Sequence, residues 1–369
     1  MITQKIYKKF LAYEKKRFLK DSDNWLGVEK TNIEKKKFFF DNYYRVSFSR
    51  FLTNVKNLVY NPNPFCFVEK GWGDDWELEL YLDFLKKENV IIVSQDQIVI
   101  KNKEFFKDIP LLKTFKEIKE LIEVKTGKKV KDKDSITNFI KEFSDFKVKG
   151  EWDQMPLSQS SVIFSASKIL EYLPLKKKFL FIGDDDFLSV FLSLADQEVE
   201  SVVIDADKEL LECIDKIALK FKLKIETKLI DTRKKVKINQ DFVGFSCNPP
   251  YTEKGVENFL NYGLSHLDWK GGNAFLTMGT ENIGNRILFL QEYFSRQNLI
   301  NMETITGQLF YPYLDLHKED KDNFQRMKKH LSEELIKKSP RLAADLWIFD
   351  YVPFKVERIK NRKSIYSYL

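Results

Sequence analysis

Phe179-Leu180-Phe181-Ile182-Gly183-Asp184-Asp185-Asp186 decides the fold. An apolar run that stops at a glycine and gives way to an amphipathic stretch (Phe187, Leu188, Val190, Phe191, Leu194) reads as a buried parallel strand entering a helix. Such a junction opens dinucleotide and adenosylmethionine sites. Those loops ordinarily add further glycines so that the backbone can approach the ligand, and at a pyrophosphate the helix N-terminus supplies positive potential. Three consecutive carboxylates repel a phosphate and attract amines or a sulfonium. Phosphorylated dinucleotides are therefore disfavoured, and adenosylmethionine, its decarboxylated form or a polyamine is favoured. One of the three acids is expected to cap the helix, since Asp at a helix start interacts well with the exposed N–H groups and the dipole. Three mutually repelling acids exceed that need.

Downstream the alternation is regular. Strands are expected at 179–182, 201–204, 224–229, 241–246 and 273–278, with helices at 187–195, 208–221 and 255–267. This pattern predicts an α/β fold with a Rossmann-like, methyltransferase-type doubly wound sheet. In such sheets the ligand lies across the carboxyl ends of the strands, where Gly183, Asp205, Asp231 and Asn248 fall. Asp205 lies 22 residues after Gly183, at the position of a carboxylate that accepts hydrogen bonds from a ribose diol. Asp207 reads as the N-cap of the next helix. Asp231 is placed either to contact an adenine amino group or to cap a turn with Thr232 and Arg233.

Asn248-Pro249-Pro250-Tyr251 follows the apolar strand around Phe242–Phe245. Two prolines fix the backbone, so that carbonyls and a side chain face a ligand rather than neighbouring strands, and Tyr251 can lie against a flat base or a cation. Motifs of this form hold the attacking amine in amino-group methyltransferases.

The N-terminal part differs. Residues 1–150 carry 31 Lys+Arg against 23 Asp+Glu, whereas residues 151–350 carry 26 against 31. A lysine-rich helical portion to about Val59 and a Pro/Gly loop at 61–73 precede a helix with Leu78, Leu80, Leu82 and Leu85. Val90–Val93 and Gln97–Ile100 then form a hairpin about Ser94-Gln95-Asp96, the closing half of a winged helix. Residues 106–146 are Lys/Glu-rich with helical periodicity and read as a connector. The expected domains are thus a helical, winged-helix-containing domain at 1–150, a catalytic domain at 151–350 and a basic tail at 351–369. A winged helix binds nucleic acid in some proteins and only packs in others, so the module itself assigns no function.

The 43% hydrophobic content supports a sizeable core, and the net charge is +7. Basic residues interrupt the first apolar positions (Lys5, Lys8, Lys9, Lys15, Lys16, Arg17), and no run has membrane-spanning length, so a cytoplasmic location without membrane contact is expected. Cys66, Cys213 and Cys247 form no C-x-x-C pair, and His266, His317 and His330 lack metal-ligand spacing, so no metal is expected.

Gly183-Asp184-Asp185-Asp186 with Asn248-Pro249-Pro250-Tyr251-Thr252 resembles the branched-chain polyamine synthases, aminopropyltransferases that make N4-bis(aminopropyl)spermidine. Glu151-Trp152-Asp153-Gln154, Asp205-Ala206-Asp207, Asp231-Thr232-Arg233, Ala344-Asp345-Leu346 and the tail at Ser364-Ile365-Tyr366 look like further family segments. The resemblance implies transfer of aminopropyl groups from decarboxylated S-adenosylmethionine, as co-substrate, to the secondary N4 amine of spermidine. Asp186 is expected to act as base, with Asp185 and Asn248 beside it. Asp184, Asp153, Pro249 and Tyr251 are expected to bind the amine, and Gly183, Asp205 and Asp231 the donor. One position departs: the family motif begins with Asp, and here Asn248 removes one negative charge and leaves the acceptor open. The expected partner is a small polyamine, with a homodimer as the assembly if the chain associates. Two other readings stand beside this one, an N6-adenine-type methyltransferase on nucleic acid and a non-catalytic winged-helix polyamine sensor. The acidic site counts against a nucleic-acid substrate, whose binding relies on Lys and Arg.

Overall fold

A computed structural model describes residues 2–21, 33–60, 75–94, 97–234, 236–268, 270–312, 318–354 and 356. The chain divides into two compact units. The first comprises the described residues up to Leu111 together with those after Tyr351; the second is Leu112–Tyr351.

The first unit is largely helical. Helices Ile2–Asp21, Phe48–Tyr60 and Asp75–Lys87 meet through aromatic rings, with Phe10 4.6 Å from Phe51, 4.7 Å from Tyr81 and 5.2 Å from Phe84 between ring centroids. Such pairs add about 1 kcal/mol each beyond the area they bury. Strands β1 (Ile91–Ser94) and β2 (Gln97–Ile100) follow as an antiparallel pair with Ile91 opposite Ile100. The expected order of helix then hairpin is present. The loop at 61–73, the hairpin turn at Gln95-Asp96 and, in the tail at 351–369, residue 355 and residues 357–369 lie outside the described residues.

The second unit begins earlier than the boundary expected at 150. Helix Phe115–Thr126 opens on a capping box between Thr114 and Glu117 and ends at Gly127, whose φ of 69° suits glycine. Its Ile118 and Ile122 are fully buried, and Phe139 packs 5.3 Å from Phe191 of helix Leu188–Ala195. The Lys/Glu-rich stretch is therefore a covering layer of the second unit, with an apolar stripe that faces inward, and not a connector.

That unit is built on a seven-stranded sheet. Its strands are β3 (Phe179–Ile182), β4 (Ser201–Asp205), β5 (Ile225–Leu229), β6 (Gly244–Cys247), β7 (Gly272–Met278), β8 (Leu299–Tyr311) and β9 (Leu342–Tyr351). The order is β5-β4-β3-β6-β7-β9-β8. The first five are parallel, and β9 runs antiparallel to both β7 and β8. All residues of β3, β6 and β7 are buried, which explains their mostly apolar character, broken at Ser246, Asn273 and Thr277. Each fully buried Val, Ile, Leu or Phe contributes roughly 1.5–3 kcal/mol. The fold is Rossmann-like, as expected, with an antiparallel pair at one edge that the alternation upstream does not announce. β8 carries a bulge between Ile305 and Leu309, where the Asp345 carboxylate accepts the Gly307 N–H at 2.8 Å. Among the described residues no helix is long and apolar enough to cross a membrane.

Candidate active site

β3 lies between β4 and β6, so the strand order reverses there, and a crevice opens at the carboxyl ends. A cavity of about 1,090 Å³ occupies it. Gly183, Asp185, Asp205, Asn248, Tyr251 and Tyr311 line it, with Trp152 and Asp153 at one side. Its size exceeds the usual range for a single small ligand.

The three consecutive acids go three ways. Asp184 turns back into the helix start, where its carboxylate accepts the Ser189 N–H at 3.2 and 3.4 Å. Phe187, at the helix start, offers no side-chain cap and has a φ of 53°, so Asp184 supplies the acceptor. It does not line the cavity, which corrects its expected role as an amine binder. Asp185 is half-buried on the cavity wall, with one oxygen accepting the Met155 N–H at 2.9 Å. Burial, then the neighbouring carboxylates of Asp186 and Asp205, push its carboxyl well above the usual range. Asp186 lies behind this wall. One of its oxygens accepts the Leu157 N–H at 2.6 Å and the other the Asn248 amide at 3.1 Å. Burial raises its carboxyl to about 6 against these two bonds. Each oxygen of the expected base thus accepts from a protein donor, and it is the neighbouring Asp185 that lines the cavity.

A strap, residues 149–157, forms the adjoining wall. Lys149 and Gln154 both reach Asp207, Nζ and Nε2 each donating at 2.9 Å, and the Lys149 N–H returns to Gln154 Oε1 at 2.8 Å. Asp207 also accepts the Glu209 N–H at 3.0 Å, the helix cap read from sequence. Burial opposes its charge, but Lys149 and Gln154 hold it below the usual carboxylate range. With the Met155 and Leu157 N–H groups bound by Asp185 and Asp186, the strap is fixed on both sides of Asp153. Asp153 itself has a φ of 56°, a left-handed conformation that Asp tolerates better than most residues, and lines the cavity.

The wall opposite the acids is neutral. Asn248 Nδ2 donates to Asp186 and to the Tyr311 hydroxyl, the latter at 3.0 Å, and Tyr311 shares a 2.8 Å hydrogen bond with Tyr251. Burial pushes both phenols up, so they remain hydroxyls at any ordinary pH. Pro249 and Pro250 line the cavity as expected. A Cβ at Gly279 would lie 2.8 Å from the Tyr251 ring, so only glycine leaves that ring its place. Tyr311 was not foreseen. It ends β8 just before Pro312, and an apolar stretch stopped by proline marks a strand end without revealing what its last side chain meets.

At the carboxyl ends of β3 and β4, Gly183 has a φ of 68°, and a Cβ there would lie 3.4 Å from Phe259. Asp205 binds the Asp207 N–H through Oδ1 at 2.7 Å, while Oδ2 lies toward Gly183. Burial raises its carboxyl, and the backbone N–H of Asp207 moderates the shift. Asp231 also lines the cavity, but both its oxygens are bound by the Arg233 guanidinium at 2.8 Å and one by the Arg233 N–H. These bonds make the turn with Arg233 that its sequence allows, on a residue that also faces the cavity.

Cys247 is buried and its thiol raised by burial, so it packs as an apolar residue. His266 accepts the Ile238 N–H through Nε2 and lies against Tyr262, a structural role. Among the described residues no group of three or more His, Cys, Asp or Glu is arranged to hold a metal.

Over 193 residues the chain is 25% identical to the N(4)-bis(aminopropyl)spermidine synthase of Methanocaldococcus jannaschii, covering 51% of this chain and 52% of that protein. It is 31% identical over 137 residues to an uncharacterized protein of the same organism, covering 37% and 34%. The chain thus spans about half or less of the length of these curated relatives. Among solved structures, the branched-chain polyamine synthase of Thermus thermophilus, in complex with N4-aminopropylspermidine and 5'-methylthioadenosine, aligns over 88% of this chain and 93% of its own. The TM-score is 0.47 and the identity 14%. A mutein of that enzyme aligns over 89% and 94%, with a TM-score of 0.48 and 13% identity. Residues 135–366 match the Branched-chain polyamine synthase A C-terminal domain, and the chain belongs to that family.

Proposed function

We propose that the chain is an aminopropyltransferase that moves aminopropyl groups from decarboxylated S-adenosylmethionine to the secondary N4 amine of spermidine. The observation that carries this reading is one cavity lined both by Asp205 beside Gly183 and by Asp185 facing Asn248-Pro249-Pro250-Tyr251. A carboxylate at the end of the second strand suits a ribose diol, and carboxylates deeper in the same space suit ammonium groups.

Each residue then has a task. Asp205 accepts the ribose hydroxyls. Asp153 holds an ammonium end, and Tyr251 shapes the channel and offers its ring face to a cation. The inner amine is protonated at neutral pH and must lose a proton before it can attack. Asp185 takes that proton, because it faces the cavity and its carboxylate, raised by burial and by Asp186 and Asp205, is a stronger base than an ordinary one. The nitrogen lone pair then forms the new N–C bond as the C–S bond breaks, and the electron pair leaves on sulfur as the neutral thioether methylthioadenosine. Asp186 stays in place as the charge that orients Asn248. Holding both reactants in one cavity supplies much of the remaining acceleration.

Purified protein incubated with spermidine and decarboxylated S-adenosylmethionine is expected to release methylthioadenosine and to increase the polyamine mass by one or two aminopropyl units. Methyl transfer from S-adenosylmethionine to a nucleic-acid amine, with no polyamine product, would replace this reading by the methyltransferase one. Polyamine binding without turnover of either donor would favour the sensor.

A further inference from the structure

Asn248 is polar on two sides, and its surroundings decide which side faces the cavity. The Asp186 carboxylate, bonded to the Leu157 N–H by one oxygen, can only accept with the other while ionised, so the atom of Asn248 beside it is Nδ2. The second hydrogen of Nδ2 goes to the Tyr311 hydroxyl at 3.0 Å. Both donors are thereby used. The Tyr311 hydroxyl also lies in donating geometry 3.3 Å from Oδ1, an acceptor with two lone pairs, so one is left to a ligand on this cavity-lining residue. The Tyr311 oxygen therefore touches both ends of the amide and, at 2.8 Å, Tyr251 as well. Phenylalanine at this position would leave one amide hydrogen of Asn248 unpaired and would leave the amide held by Asp186.

We infer that Tyr311 is a positioning residue that fixes the Asn248 amide with Oδ1 toward the incoming secondary amine, so that the amine's N–H is held and its lone pair is aimed at the donor carbon. The inference rests on the aminopropyl-transfer reading. Tyr311 acts through Asn248, and it touches neither donor nor reacting atoms in this scheme. A neutral amide oxygen accepts an N–H without drawing a second proton, which separates orientation from the proton transfer assigned to Asp185. The role fits an acceptor with an N–H at the attacking nitrogen.

The test is a double-mutant cycle on kcat, with decarboxylated S-adenosylmethionine and spermidine as substrates and methylthioadenosine release as readout. Tyr311→Phe is expected to lower kcat about tenfold or more with the KM for the donor unchanged within about twofold. In an Asn248→Ala background the same change is expected to alter kcat by less than about twofold, because the group it positions is gone. Equal losses in the two backgrounds, or a Tyr311→Phe enzyme as fast as the parent, would overturn the inference. Should the parent enzyme not turn over this donor, the activity reading fails and melting temperatures decide the rest. A Tyr311→Phe shift at least halved by Asn248→Ala upholds the coupling to the amide, and equal shifts reject it.

Discussion

Two walls of one cavity differ in charge. On one, Asp185 faces the space with its carboxyl raised by burial and by the carboxylates of Asp186 and Asp205. On the other, Asn248, Tyr311 and Tyr251 form a chain of neutral dipoles tied to Asp186 at its far end. A charged group recognises a cation from several ångströms away and can exchange a proton. A neutral group does neither but imposes a direction at hydrogen-bond range. The difference teaches that consecutive acids in a sequence need not act together: Asp184 caps a helix, Asp185 faces the cavity and Asp186 anchors the neutral wall.

The comparison breaks most sharply at Asp185. Asp185→Asn makes the charged wall neutral while its amide oxygen can still accept the Met155 N–H, so the fold should persist. Turnover of spermidine should fall by roughly 10²–10⁴, the usual worth of a positioned proton acceptor. Steady-state kinetics near pH 8 check this, and a loss under tenfold would show that the proton leaves by another route.

Asp186 gives a smaller effect, in stability. Its folded carboxyl sits at about 6, above the ordinary 3.8, so protonation favours the folded state. The cost of its burial is absent below about pH 4, grows as the pH rises through 6 and is complete above it, amounting to about 2–3 kcal/mol. Asp186→Asn removes that cost but leaves one acceptor for the two donors on Leu157 and Asn248, a loss that does not vary with pH. The difference in melting temperature, variant minus parent, should therefore be about 5 °C more favourable to the variant at pH 8 than at pH 4. A difference that stays constant across that range would mean that the charge behind the neutral wall is not a strained one.

The mildest change sharpens the acidic side. Gln154→Ala removes one of the two side chains that tie the strap to Asp207 and leaves Lys149 in place. Loosening Asp153 should raise the KM for spermidine about tenfold with the KM for the donor nearly unchanged. Equal changes in both constants would place the strap against the donor instead.

The parallel half of the sheet was legible because buried parallel strands read as short apolar runs bounded by glycine and acid, and Phe179–Ile182 and Ser201–Asp205 fall where expected. The N-cap at Asp207 was legible from local chemistry. Three things were not. The covering helix Phe115–Thr126 hides its membership because Ile118 and Ile122 are few among lysines and glutamates. The direction in which Asp184, Asp185 and Asp186 turn depends on whether an N–H from residues 155, 157 or 189 is near, which spacing along the chain does not encode. Tyr311 meets Asn248 across 63 residues of sequence, through strands whose pairing had no short-range signal.

The place of β9 between β7 and β8 also ties the neutral wall to the last strand of the sheet. β8 leaves the ribosome before β9, yet it joins the sheet only through β9, where Tyr311 pairs with Leu342. A nascent chain that has reached Tyr311 already holds every acid of the cavity, but the hydroxyl that completes the neutral wall has no strand to rest on until residues 342–351 insert. Long-range pairing of this kind is slow. The neutral wall thus depends on a strand that pairs with neither β3 nor β4, and removal of residues 342–351 would leave β8 with no partner strand.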